Sequence, residues 1–142
     1  GRIDLMDQVA PLGKVYQAGT FCGNPLTVRC GTANLRLLAG PDVYTRLAAE
    51  TDFLVEALQG LHSHLQIVAY PGMFGLYFAP HEVRSHLDLD QVDQQTYRPF
   101  YHRLLKQGIY LPPSSLDAAG LSLAHTRQDL ERFVRAVGEG LS

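Results

Sequence analysis

The sequence predicts an α/β chain, in detail an α+β small domain in which a short, mostly antiparallel sheet is covered by helices. Three observations carry that reading. From Pro41 to about Leu61 the residues Tyr44, Leu47, Ala48, Leu54, Val55, Leu58 and Leu61 recur at three- and four-residue steps, the pattern of a helix with one buried face. Leu65 to Ala69 and Met73 to Ala79 are short runs of apolar, β-branched and aromatic residues separated by Tyr70-Pro71-Gly72, as in two strands of a hairpin. Thr126-Arg127-Gln128-Asp129 has the form of a capping box with Asp in the acidic position, and it precedes Leu130, Phe133, Val134 and Val137 at helical spacing.

The remaining elements follow in order. Residues Arg2 to Ala10 suggest a short helix ended by Pro11. Asn24 to Leu38 reads as a longer helix, with Asn24 as cap, Pro25 at the first helical position and Gly40 as the stop. A boundary between two parts of the chain is placed at Gly40-Pro41. Polar Pro80 to Gln91 reads as a surface connection, after which Tyr97, Tyr101, Leu104 and Leu105 mark a helical face ending at Gly108. Ile109 to Leu111 and Leu121 to Ala124 are read as further strands, and no internal repeat or low-complexity segment interrupts the pattern.

Composition bounds the function classes. With 142 residues, 46% of them hydrophobic, the chain is long enough to bury one sizeable core, and a formal charge of -2 leaves no broad basic surface for nucleic acid. No apolar run approaches the roughly 18 to 20 residues that span a bilayer, and Gly1-Arg2-Ile3-Asp4 lacks the form of a secretory signal, so neither a membrane nor secretion is expected. Cys22 and Cys30 are too few for a disulfide framework and are read as free thiols. His62 and His64 form an isolated His-x-His without a further matched ligand set, and no metal is assigned. Ser122, His125 and Asp117 invite a catalytic triad, yet no nucleophile elbow accompanies them, and His125 is read as a structural strand-end residue beside the Thr126 cap.

The most informative stretch is Tyr16-Gln17-Ala18-Gly19-Thr20-Phe21-Cys22-Gly23-Asn24-Pro25-Leu26. Gly19 and Gly23 permit backbone conformations closed to other residues, Thr20 offers a hydroxyl, and a helix starts directly afterwards. The chemistry suits an anion, although a glycine-threonine turn before an Asn-Pro helix start is more often only a cap. In order and spacing this stretch resembles the corresponding segment of the glutamate-1-semialdehyde 2,1-aminomutase family, class III members of the fold-type I enzymes that use pyridoxal 5'-phosphate (PLP). Gly72-Met73-Phe74-Gly75, Gly108-Ile109-Tyr110-Leu111-Pro112-Pro113-Ser114 and Ser122-Leu123-Ala124-His125-Thr126 resemble further family stretches, and the opening from Gly1 to Pro11 also fits.

The resemblance covers essentially the whole chain and implies the C-terminal portion of such an enzyme, a homodimer acting on a small-molecule substrate in the cytoplasm, in the porphyrin pathway. It implies that residues 1–40 are the tail end of the large PLP-binding domain, including a phosphate and dimer-interface turn, and that 41–142 form the small C-terminal domain. Gly19 and Thr20 match positions that reach the PLP phosphate, the turn of one subunit serving the cofactor of the other. The lysine that carries the cofactor is implied to lie upstream of Gly1. Lys14 and Lys106, the two lysines of the chain, match no such position and are read as solvated, so the isolated chain is expected to be inactive.

Ser114-Ser115-Leu116-Asp117-Ala118 resembles the family's Ser-Gln-Phe-Glu-Ala, which makes Asp117 the counterpart of a carboxylate on the substrate side of the pocket, with shorter reach. Leu116 and Gly120-Leu121 depart from the family pattern and leave the choice of substrate, and a related aminotransferase, open. From the residues alone, Asp117 is equally a loop cap, and a non-catalytic binding or dimerisation module built on the same scaffold remains the reading from a different class.

Overall fold

The computed structural model describes residues 1–141, which divide into two compact units, Gly1–Gly40 and a second from Pro41 onward. The first unit holds α1, Ile3–Met6, and α2, Pro25–Leu38. Helix α1 stops well short of the sequence expectation of Ala10. Pro11 disfavours helical backbone at Ala10, and Val9 instead forms a bridge to Val15, with the Ala10 N–H donating to the Val15 carbonyl at 2.9 Å and the Val15 N–H to the Gln8 carbonyl at 2.8 Å. Helix α2 begins as its sequence dictates: the Asn24 side chain accepts from the N–H groups of Leu26 at 3.0 Å and Thr27 at 3.2 Å, and Pro25 sits first in the helix. Neither helix buries a residue.

The second unit contains α3 (Val43–Leu58), β1 (Leu65–Tyr70), β2 (Met73–Phe78), a 3-10 turn (His86–Gln91), α4 (Gln94–Lys106), β3 (Ala119–Gly120) and α5 (Arg127–Gly140). The three strands form one antiparallel sheet in the order β1-β2-β3. Strands β1 and β2 pair from Leu65 opposite Phe78 to Tyr70 opposite Met73, which leaves Pro71-Gly72 as the turn. Proline presets its own φ and Gly72 takes φ 83°, the Pro-Gly order of a type II turn.

Along β2, Phe74, Leu76 and Phe78 alternate inward, where they meet Leu54 and Leu58 of α3, Phe100 and Leu104 of α4, and Phe133 and Val137 of α5. Ring pairs Phe78–Phe100 and Phe74–Phe133, with centroids 5.3 and 5.6 Å apart, interlock the sheet with α4 and α5. The Arg127 guanidinium lies 3.7 Å above the centre of the Phe53 ring and 3.0 Å from the Glu50 carboxylate, joining α5 to α3. That charged contact is out of line for a hydrogen bond, so the buried Glu50 oxygen has no directed donor among the described residues.

Several expectations need correction. Tyr44 and Leu61 are exposed, and the buried face of α3 is Leu47, Thr51, Leu54 and Leu58. In α4 the buried positions are Tyr97, Phe100 and Leu104, while Leu105 is exposed and Tyr101 only partly covered. Ile109 to Leu111 is not a strand, and the third strand is the two-residue Ala119–Gly120 rather than Leu121 to Ala124. Beyond β3 the Leu121 N–H still donates to the Gly72 carbonyl at 2.8 Å, but there pairing ends, because the Ser122 N–H donates to His125 Nδ1 at 3.0 Å and draws the backbone into a turn. His125 is therefore a turn residue, not a strand-end one. The connection 80–91 is not wholly surface, since Val83 is buried against Ala79 and Val92.

Candidate functional site

In the first unit, the glycine-threonine turn is drawn closed by two backbone bonds, Cys22 N–H to the Gly19 carbonyl at 3.0 Å and Asn24 N–H to the Phe21 carbonyl at 3.2 Å. Gly23 adopts φ 72°, a conformation that a side chain would strain. Space is tight at Gly19: a Cβ there would stand 2.7 Å from Cys22 Sγ. The first free amides of α2, those of Leu26 and Thr27, are already taken by the Asn24 side chain. What the turn still offers are the N–H groups of Thr20, Phe21 and Gly23, none of which has an acceptor among the described residues, and the exposed Thr20 side chain.

Asp117 lies in the second unit, on the loop between α4 and β3. The loop is stiff at its start, where Pro112 and Pro113 each fix φ. It then turns through Ser114, whose carbonyl accepts from the Asp117 N–H at 3.2 Å and whose hydroxyl accepts from the Leu116 N–H at 3.2 Å. Ser114 thus makes the turn, and the exposed Asp117 carboxylate caps no backbone group among the described residues. Two buried residues hold the loop from inside, Leu111 and Ser115, the hydroxyl of Ser115 finding no partner among the described residues.

From α4 the Tyr97 hydroxyl donates to the Pro112 carbonyl at 2.7 Å. Its pKa is pushed up to about 12, first by burial and then by the charges of Tyr101 and Asp117. The same loop borders a cavity of about 530 Å³ whose floor is Leu54, Phe74, Leu130 and Phe133 and whose rim includes Pro112, Ala118 and His125. Arg132 at this rim donates to the Gln107 carbonyl at 2.9 Å. Asp129 is held below the usual carboxylate range by hydrogen bonds from the Thr126 hydroxyl and N–H, which complete the capping box of α5.

Gly19 and Thr20 therefore lie on one unit and Asp117 on the other. Neither Tyr97 nor the cavity beside this loop is marked by any motif in the sequence, where Tyr97 reads only as one more apolar position of α4. Lys14 sits in the segment before the glycine-threonine turn and Lys106 ends α4.

No family model matches the chain. Curated relatives do. The glutamate-1-semialdehyde 2,1-aminomutase of Laribacter hongkongensis (strain HLHK9) is 40% identical over 146 aligned positions, covering 100% of this chain and 34% of the relative. That of Herminiimonas arsenicoxydans is 38% identical with the same coverage, 100% and 34%. Among solved structures, a β-phenylalanine aminotransferase from Variovorax paradoxus matches 98% of this chain and 33% of its own at TM-score 0.69 and 29% identity. A glutamate-1-semialdehyde aminomutase from Pseudomonas aeruginosa PAO1, solved in complex with PMP, matches 91% of this chain and 30% of its own at TM-score 0.75 and 17% identity. An omega-transaminase from Sphaerobacter thermophilus matches 99% and 34% at TM-score 0.74 and 21% identity, and like the preceding match it shares the fold. The chain is a homologue of part of glutamate-1-semialdehyde 2,1-aminomutase, and it spans about a third of the length of the curated relatives it matches.

Proposed function

We propose that this sequence forms the C-terminal part of a PLP-dependent glutamate-1-semialdehyde 2,1-aminomutase, which moves an amino group within its substrate to give 5-aminolevulinate for tetrapyrrole synthesis. The observation that carries the reading is 40% identity to such an enzyme across the whole of this chain. PLP, when bound, supplies the electron sink for that amino transfer.

The residues present fit one end of that cofactor. A phosphate is met by N–H and hydroxyl donors, and charge-assisted bonds of this kind are stronger than neutral ones. The Thr20 N–H has no acceptor among the described residues, and the absence of a side chain at Gly19 keeps the turn beside it tight. Because Asn24 occupies the first amides of α2, the phosphate is assigned to the turn rather than to the helix end. Residues 1–40 belong in this reading to the large cofactor-binding domain and its dimer interface, and the turn serves the partner subunit's cofactor in a cytoplasmic homodimer. Residues 41–142 form the small domain, which brings Asp117 to the substrate side. The lysine that carries the cofactor is assigned to the part of the relatives' length that this chain does not span.

The rival is a class III aminotransferase, favoured by the departures at Leu116 and Gly120-Leu121 beside Asp117. Supplying the full-length protein with glutamate-1-semialdehyde and no second amino donor or acceptor separates the two. Steady formation of 5-aminolevulinate is expected; turnover that requires a separate amino donor and acceptor would replace the aminomutase reading with the aminotransferase one.

A further inference from the structure

The loop Pro112–Asp117 meets α4 through one directed long-range bond among the described residues, from the Tyr97 hydroxyl to the Pro112 carbonyl at 2.7 Å, across 15 positions of sequence. Its other recorded polar contacts are local ones through Ser114. The bond lands where the chain transmits position best. Two consecutive prolines restrict each other's backbone, so a fixed Pro112 carbonyl orients Pro113 and the Ser114 turn that follows. At the far end of that turn stands Asp117, whose short side chain leaves the position of its carboxylate to the backbone. Tyr97 itself is only 4% exposed and packed against Phe100, so it is a rigid post.

We propose that Tyr97 is a positioning residue whose hydroxyl, through Pro112, sets where the Asp117 carboxylate stands toward the substrate. The proposal rests on the substrate-side reading of Asp117 given above. It makes the hydroxyl, and not the ring, the functional part: the ring serves the core, while the oxygen serves the loop. Burial favours the neutral form of the phenol, the form that donates to the carbonyl.

The test compares Tyr97→Phe, Asp117→Asn and the double variant in the full-length enzyme. Phenylalanine keeps the ring and its packing. A single neutral hydrogen bond of about 1 kcal/mol corresponds to roughly a fivefold effect, so Tyr97→Phe is expected to raise KM about fivefold while leaving kcat within twofold and cofactor content unchanged. In the Asp117→Asn background it should add nothing further. Amide exchange provides a readout independent of turnover: the Leu116 and Asp117 amides, which both donate to Ser114, should exchange roughly fivefold faster in Tyr97→Phe, with α4 unchanged. Equal KM increases in both backgrounds, or unchanged exchange in the loop, would overturn the positioning role while Asp117 keeps its own. Asp117→Asn without any effect on KM or kcat would remove the substrate-side reading itself, and the positioning role with it.

Discussion

Thr51 on α3 is tied to Gly72 in the hairpin turn: its buried hydroxyl donates to the Leu47 carbonyl at 2.7 Å and accepts from the Gly72 N–H at 3.0 Å. One side chain thereby joins the helix to the turn between β1 and β2. Gly72 is crowded as well as left-handed, because a Cβ there would lie 3.3 Å from the Leu121 carbonyl that follows β3. The three strands and α3 thus converge on this point. Thr51→Val keeps the shape but leaves the Gly72 amide without its acceptor, and it should destabilise the fold by roughly 1 to 3 kcal/mol. Urea unfolding of the two proteins, with the slope unchanged and the midpoint lowered, checks it; equal midpoints would remove Thr51 from the account of stability.

At the glycine-threonine turn, Thr20→Val in the full-length enzyme replaces a hydroxyl by a methyl without altering the backbone. If the hydroxyl meets the phosphate, cofactor affinity should fall by about 1.5 to 3 kcal/mol, the range for a hydrogen bond to a charged group. Equilibrium titration with PLP measures this directly, and an unchanged dissociation constant would take Thr20 out of the site.

Asp117→Ala addresses the proposed substrate-side role of the second unit's loop. Since Ser114 makes the loop turn, loss of the Asp117 carboxylate should leave the melting temperature and cofactor content as they were while turnover of glutamate-1-semialdehyde falls. A drop in melting temperature with normal turnover would show the carboxylate to be a loop cap after all.

Alkaline pH should act on Tyr97. Its phenol titrates near 10 when exposed and at about 12 in the fold, so the folded state holds its proton more tightly than the unfolded chain does. Stability from this group is complete below pH 10 and is lost as pH rises from there toward 12. Unfolding midpoints of Tyr97→Phe and the parent chain, followed from pH 8 to 11.5, should therefore converge on the alkaline side, with the parent chain showing the steeper loss. Parallel curves would contradict the shift.

What the sequence determined by itself is what short-range chemistry settles. Asn24-Pro25 starts α2, Thr126 and Asp129 start α5, and Pro71-Gly72 turns β1 into β2, because in each case the partners lie within a few residues and no distant packing is needed. Gly19, Thr20 and Asp117 enter differently, as candidates marked by the resemblance of ordered motifs, and their roles rest on the experiments above. Tertiary structure decided the rest. Thr51 is polar and breaks an apolar stripe, yet it is buried because Gly72 donates to it from 21 positions away. Phe100 enters the core in place of Leu105, since the side of α4 that faces β2 is chosen by the sheet and not by hydrophobicity alone. Ala119–Gly120 becomes a strand although neither residue favours one, because pairing to Met73 and Phe74 supplies its hydrogen bonds. The hold of Tyr97 on the Asp117 loop belongs to the same class: a hydroxyl and a carbonyl become partners only after α4 has packed, and no periodicity records that encounter.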